Sequence, residues 1–297
     1  MTATSAPARS ARGRQPYRSA ARPRRTSLLP TGVLLLGIVY ALLPVAWVVL
    51  ASTKNNTELF NYSAFKPGGA FFGNVSALTS YRGGIFWNWA LNTAIYAGGG
   101  GILSAALSAL TGYAFAKYRF RGKGFLFNLI LVGVLVPAVV LAVPQYLLVA
   151  KLGLADSYWS VLIPSIVSPY GIYLARIYAG ASVPDEVIEA ARMDGSGELR
   201  TFLRVGVPMM APGLVTIFLF QFVAIWNNFL LPWMMLSSDT KFPLTVGLYT
   251  LLTQGTQTPA LYTVVITGAL LSIIPLVVLF FLLQRFWRVD LSAGSVK

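Results

Sequence analysis

An all-α membrane protein with six transmembrane helices is the fold class that this sequence predicts, and three observations predict it. Of the 297 residues, 56% are hydrophobic and only 11% are charged, where soluble domains carry roughly 25% charged residues. Uncharged stretches recur that are long enough, at ~1.5 Å rise per residue, to cross ~30 Å of hydrocarbon. The basic residues collect in alternate connections, the bias that sets orientation in a bilayer. That bias accounts for the net charge of +14 as topology rather than nucleic-acid binding. The chain has no Cys and no His. This excludes disulfides, thiolate nucleophiles, His-based acid–base catalysis and ordinary zinc or haem sites.

Residues 1–27 contain seven arginines and no acid. They bury too little apolar surface to order themselves and read as a disordered basic cytoplasmic tail that brushes anionic lipid. A transit peptide shares this composition. The first span is 28–52, with Pro44 expected to kink it. The polar, Gly-rich stretch 53–84 is expected to be an outer loop. Trp87 and Trp89 then mark an interface belt. The second span, 85–116, is rich in small residues that let helix backbones approach closely. Lys117, Arg119, Arg121 and Lys123 place the next turn inside. The third span is 125–150, with Pro137 and Pro144. The fourth is 158–175, with Pro164 and Pro169. The fifth is 205–236, with Pro208 and Pro212 at its mouth. A second outer loop, 237–261, leads to the sixth span, 262–283. Of the 23 Lys and Arg, only Lys54, Lys66, Arg82, Lys151 and Lys241 fall in outer segments. Both termini are therefore expected on the cytoplasmic side.

The polar loop 182–204 holds five of the nine acidic residues: Asp185, Glu186, Glu189, Asp194 and Glu198. Ser182 is a cap, Pro184 suits a first turn, and acids there oppose the helix dipole. Gly195 suits a C-terminal stop. Ser196 then caps a second short helix, 197–204, giving a helix–turn–helix. Ala190 and Ala191 keep its first helix slim, and Glu189, Arg192 and Asp194 give it charged edges.

The spacing Glu189-Ala190-Ala191, three residues, Gly195, nine residues, then Val205-Gly206-Val207-Pro208 resembles the signature loop of ABC importer permeases. Val205 and Val207 stand where Ile and Leu are usual. Over about 31–297 the chain is similar to the carbohydrate-uptake branch, of the maltose-permease-G-like type. The matching stretches are YAFAKYRFRGK at 113–123, PQYLLVAKLGL at 144–154, WNNF at 226–229, FPLTVGL at 242–248 and the terminal GSVK. Asp290 replaces a usual Gly, and the sequence stops at Lys297.

The resemblance implies a permease fold over 28–297 with a cytoplasmic coupling helix docked in a groove of an ATPase. Glu189 and Asp194 would be docking charges, Ala190 and Ala191 the close contacts, Gly195 the turn, and Pro208 the end of the motif. It also implies a bacterial cytoplasmic (inner) membrane, a second permease subunit, an ATPase dimer and an extracytoplasmic solute-binding protein. ATP and Mg would sit on the ATPase, since this chain lacks a Gly-Lys-Ser/Thr phosphate loop. It has no catalytic constellation and no metal site of its own.

No ionisable residue lies centrally in any span, which leans against a proton-coupled carrier; sodium held by carbonyls stays open. The uncharged polar set is Asn92, Gln145, Gln221, Asn227 and Asn228. Trp226, Asn227 and Asn228 could line the path of a mono- or oligosaccharide, or serve only as interhelical hydrogen bonds. Import of another small solute, or ion-coupled carriage, are the alternatives.

Overall fold

The computed structural model describes residues 28–255, 258 and 261–293. The arginine-rich tail and the terminal GSVK lie outside the described residues. The chain divides into two bodies, 1–45 and 46–297. Helix α1 (Leu28–Ser52) begins in the first, where residues 29–45 are exposed.

The second body is helical, with no strand among its described residues. The stretch expected as an outer loop holds two short helices, α2 (Asn56–Asn61) and α3 (Phe71–Ser80). A capping box starts α2: Asn55 Oδ1 accepts from Glu58 N, and Glu58 accepts from Asn55 N. Lys54 is buried, and its ammonium donates to the carbonyls of Ser63 (2.7 Å) and Ala64. Asn74 donates to the carbonyls of Ser52 and Lys54.

Helix α4 (Ile85–Ala94) passes through a π turn at Ile95–Gly99 into α5 (Gly100–Lys117). The small residues of α5 allow its closest neighbours, α9 and α12, to approach. A Cβ on Gly112 would lie 2.5 Å from Ala175 Cβ and 2.6 Å from the Arg176 nitrogen. Only a residue without a side chain fits there.

Two expected spans are broken. The third consists of α6 (Lys123–Leu135) and α7 (Ala138–Lys151), bent by 105°. Pro137 forces Val136 out of the helical region (φ −76°, ψ 120°). The fourth consists of α8 (Tyr158–Ile166) and α9 (Pro169–Ser182), bent by 41°. Here Val167 and Ser168 are extended before Pro169, and Ser168 Oγ caps α9 by accepting from Gly171 N. Counting each bent pair as one crossing gives six.

The polar loop contains α10 (Asp185–Met193) and α11 (Glu198–Thr201), and a π turn at Phe202–Gly206 joins α11 to α12 (Val207–Trp226). The fifth span does not run to 236. It ends at Trp226, because the Asn227 side chain donates back to Val223 O and Asn228 Oδ1 accepts from Leu231 N at the start of α13 (Leu230–Met235). Amide side chains that bond nearby backbone compete with the helix ladder. The second outer loop contains α14 (Leu244–Gly255), and α15 (Leu261–Ala293) is longer than the sixth span expected from hydropathy.

Trp89 is not an interface residue. It is 1% exposed, in contrast to Trp87 at 59%. Its indole N–H donates to Asp239 O, and a Cβ on Gly247 would meet its ring at 2.2 Å. The same face of α4 holds the segment before α14: Asn92 donates to the carbonyls of Thr240 and Phe242, and Leu244 N donates to Thr93 Oγ1. From the other side, Asp156 accepts from Ser237 N, Ser238 N, Ser238 Oγ and Lys241 Nζ. Burial acts to raise the Asp156 pKa, but these hydrogen bonds outweigh it and hold the carboxylate well below its usual range.

Candidate coupling loop and membrane cavity

The loop between α9 and α12 is a helix, a tight turn and a second helix, but not with the expected caps. Ser182 is the last residue of α9, and Pro184 occupies the capping position of α10 without a side-chain bond. Gly197, not Ser196, precedes α11. The turn itself is a Schellman stop. Gly195 has φ +77°, its N–H donates to Arg192 O, and Ser196 N–H donates to Ala191 O.

One apolar side chain fastens α10 to the bundle. Ile188 is 4% exposed and belongs to one buried cluster with Tyr113 of α5, Ala175 and Ala179 of α9, and Phe202. Polar pins surround it. Lys117 Nζ donates to Asp185 Oδ1 at 2.8 Å, which holds the Asp185 pKa below the usual carboxylate range. Arg192 donates to both oxygens of Glu198 (2.9 and 3.2 Å), clamping the two short helices together. Tyr118 OH donates to Glu198 Oε2 at 2.7 Å. Burial and then this bond push the Tyr118 pKa up to about 12.

The residues expected to dock a partner lie outside this framework. Glu189, Ala190, Asp194, Gly195 and Pro208 are exposed, and Ala191 is half-buried. Glu189 and Asp194 form no ion pair among the described residues. Around them Met193 (88%), Leu199 (66%) and Leu203 present apolar surface. Pro208 has a structural consequence as well. Its missing N–H and its ring disturb the ladder at Arg204, which lies inside the π turn. Sequence reasoning noted the acids Asp185 and Glu198 but not that they are internal pins. The signal was the basic pair Lys117 and Arg192 facing them.

The polar residues of the spans divide into two groups. Asn92 is buried and bonded at both ends, since its Oδ1 also accepts from Tyr158 OH. It is structural. Gln145, Gln221 and Asn228 line one cavity of about 310 Å³ together with Ser165. Trp226 and Asn227 do not line it. Trp226 is buried and stacks on Phe222 with ring centroids 5.3 Å apart. Among the described residues, no three His, Cys, Asp or Glu side chains cluster closely enough to hold a metal.

The family model described as "Binding-protein-dependent transport system inner membrane component" matches residues 101–288. The arabinooligosaccharides transport system permease protein AraQ of Halalkalibacterium halodurans is 33% identical over 92% of this chain and 99% of its own. The lactose transport system permease protein LacG of Rhizobium radiobacter is 29% identical over 93% of this chain and 98% of its own. Among solved structures, a bacterial ABC transporter that imports the acidic polysaccharide alginate superposes with a TM-score of 0.75. It is 26% identical and covers 87% of this chain and 95% of that one.

Proposed function

The chain belongs to the family of binding-protein-dependent transport system inner membrane components, and from that premise we propose that it is one of two permease subunits of an ATP-driven sugar importer. As a permease it is a non-catalytic membrane subunit. Two copies of an ATPase, carrying ATP and Mg, would dock on α10, and an extracytoplasmic binding protein would deliver the sugar. Both termini would face the cytoplasm. The supporting observation is the loop 182–204. Its internal charges are pinned to the bundle, while Glu189, Asp194 and a surrounding apolar rim stay exposed. That is a rigid body with a docking face, not a solvated connector. Ala190, Ala191 and Gly195 shape that face, and Pro208 ends the motif. The carbohydrate substrate is supported by relatives named for arabinooligosaccharides, lactose and maltodextrin. Of Trp226, Asn227 and Asn228, it is Asn228 that lines the cavity, and it is the candidate for the sugar path.

The mechanism follows from that body. ATP binding closes the ATPase dimer, the docked loops move with it, and the spans rock between the two sides of the membrane.

The test is purification of the tagged protein from its native membrane in mild detergent, with companions identified by mass spectrometry. Recovery of an ATPase and a second permease is expected. Uptake by the protein alone, driven by an ion gradient, would overturn the proposal. Glu189→Lys and Gly195→Pro should insert normally but lose the ATPase and reduce uptake at least about tenfold. Proline cannot adopt the φ of +77° at position 195.

A further inference from the structure

The cavity lined by Gln145, Gln221 and Asn228 lies where three helices break. Ala138 opens α7 after the Val136–Pro137 bend, Val167 ends α8, and Asn228 sits between α12 and α13; all three line it. Interrupted helices within apolar segments are tolerated where the backbone is covered by protein or lines a solute cavity.

The polar groups in the wall are incompletely paired. Gln145 has no hydrogen-bond partner among the described residues. Gln221 Nε2 donates to Ser168 Oγ at 2.7 Å, which leaves its carbonyl oxygen without a donor among the described residues. Asn228 Oδ1 accepts from Leu231 N, which leaves its NH₂ group without an acceptor among them. Three amides from two helices and one break therefore offer both donors and acceptors to whatever fills the space. All three residues are half-buried, so their unpaired groups stay accessible to water or a ligand that enters the cavity. Among the described residues, no ionisable side chain and no aromatic ring lines the cavity.

We infer that this subunit itself binds the transported sugar, one neutral ring at a time, through the amides of Gln145, Gln221 and Asn228. The inference rests on the carbohydrate reading above and deepens it. A wall of mixed donors and acceptors without charge selects a neutral polyhydroxylated solute over an acidic or basic one. The volume of about 310 Å³ is at the low end of ligand pockets, about 300–1,000 Å³, so it suits a single ring of a longer chain. The lack of an aromatic face makes hydrogen bonding, not stacking, the basis of recognition.

Gln145→Met tests this most cleanly, because it conserves volume and breaks no bond within the protein. The assembled importer with its binding protein, in proteoliposomes, is assayed for uptake of labelled arabinotriose, lactose and maltotriose. For the sugar that wild type takes up, Gln145→Met should raise the KM about three- to tenfold. Gln145→Asn, which keeps an amide with shorter reach, should fall between. Recovery of the complex and its melting temperature, measured alongside, separate a binding defect from misfolding. An unchanged KM in a correctly assembled Gln145→Met complex overturns the inference and leaves the importer reading intact. A wild-type complex that takes up none of the three sugars overturns the carbohydrate reading and this inference together.

Discussion

Glu198 accepts from Arg192 through two bonds and from Tyr118 through a third, yet it is half exposed. Exposed ion pairs typically contribute about 0.2–1 kcal/mol. Its role is therefore to fix the angle between α10 and α11 rather than to stabilise the fold. Glu198→Ala should shift the melting temperature little but speed amide exchange over 185–201, read by hydrogen–deuterium exchange. Unchanged exchange would show that Ile188 alone holds the loop. Asp156 makes a contrasting case. Its folded pKa lies below the unfolded value of about 3.9. Its contribution is therefore fully present above that value and is lost as pH falls through the folded pKa. Asp156→Asn should loosen the amides of Ser237 and Ser238 at neutral pH, and the difference from wild type should shrink below about pH 4. At the scale of single residues, the sequence exposed types but not partners. Nothing in it separates Asn92, bonded at both ends by Tyr158 and residues of another segment, from Gln145, bonded by none.

At the scale of elements, periodicity and hydropathy locate the membrane segments well, because a long uncharged stretch has one physical use. The breaks were harder to read. Pro137 and Pro169 were visible, and a proline restricts the residue before it, but its position does not say whether the helix bends by 41° or 105°. The end of α12 carries no proline or glycine at all. It arises from two asparagine side chains that bond backbone, and that choice is made by tertiary packing. Close packing of α5 was legible, since the small residues of 85–116 implied close approach, but its partner α9 was not. Gly112→Leu is the corresponding test. Its Cβ alone would sit 2.5 Å from Ala175 Cβ, and overpacking of this kind costs about 1–3 kcal/mol or more. A lower melting temperature by fluorescence-detected gel filtration is expected. Wild-type behaviour would mean that α5 and α9 separate freely.

For the whole molecule, orientation is the property most directly tied to charge. The absence of cysteine makes it easy to measure. Phe72→Cys and Met193→Cys replace side chains that are 83% and 88% exposed. An impermeant maleimide added to intact cells should label only the first, and label the second only after the cells are opened. The reverse pattern would invert the topology and remove the docking argument. One further consequence comes from the continuous helix Glu198–Trp226. At ~1.5 Å per residue its 29 residues form a rod of about 43 Å. One tip carries Glu198, and the other ends beside the cavity wall at Gln221 and Asn228. Gly213, just beyond its midpoint, is held so close to the Tyr178 ring that a Cβ would lie 2.2 Å from it. Such a rod has a lever's geometry, with that contact as its fulcrum. Under the docking proposed above, a tilt imposed at one tip would swing the other the opposite way, and a stroke begun at the loop would end as a change in the shape of the chamber.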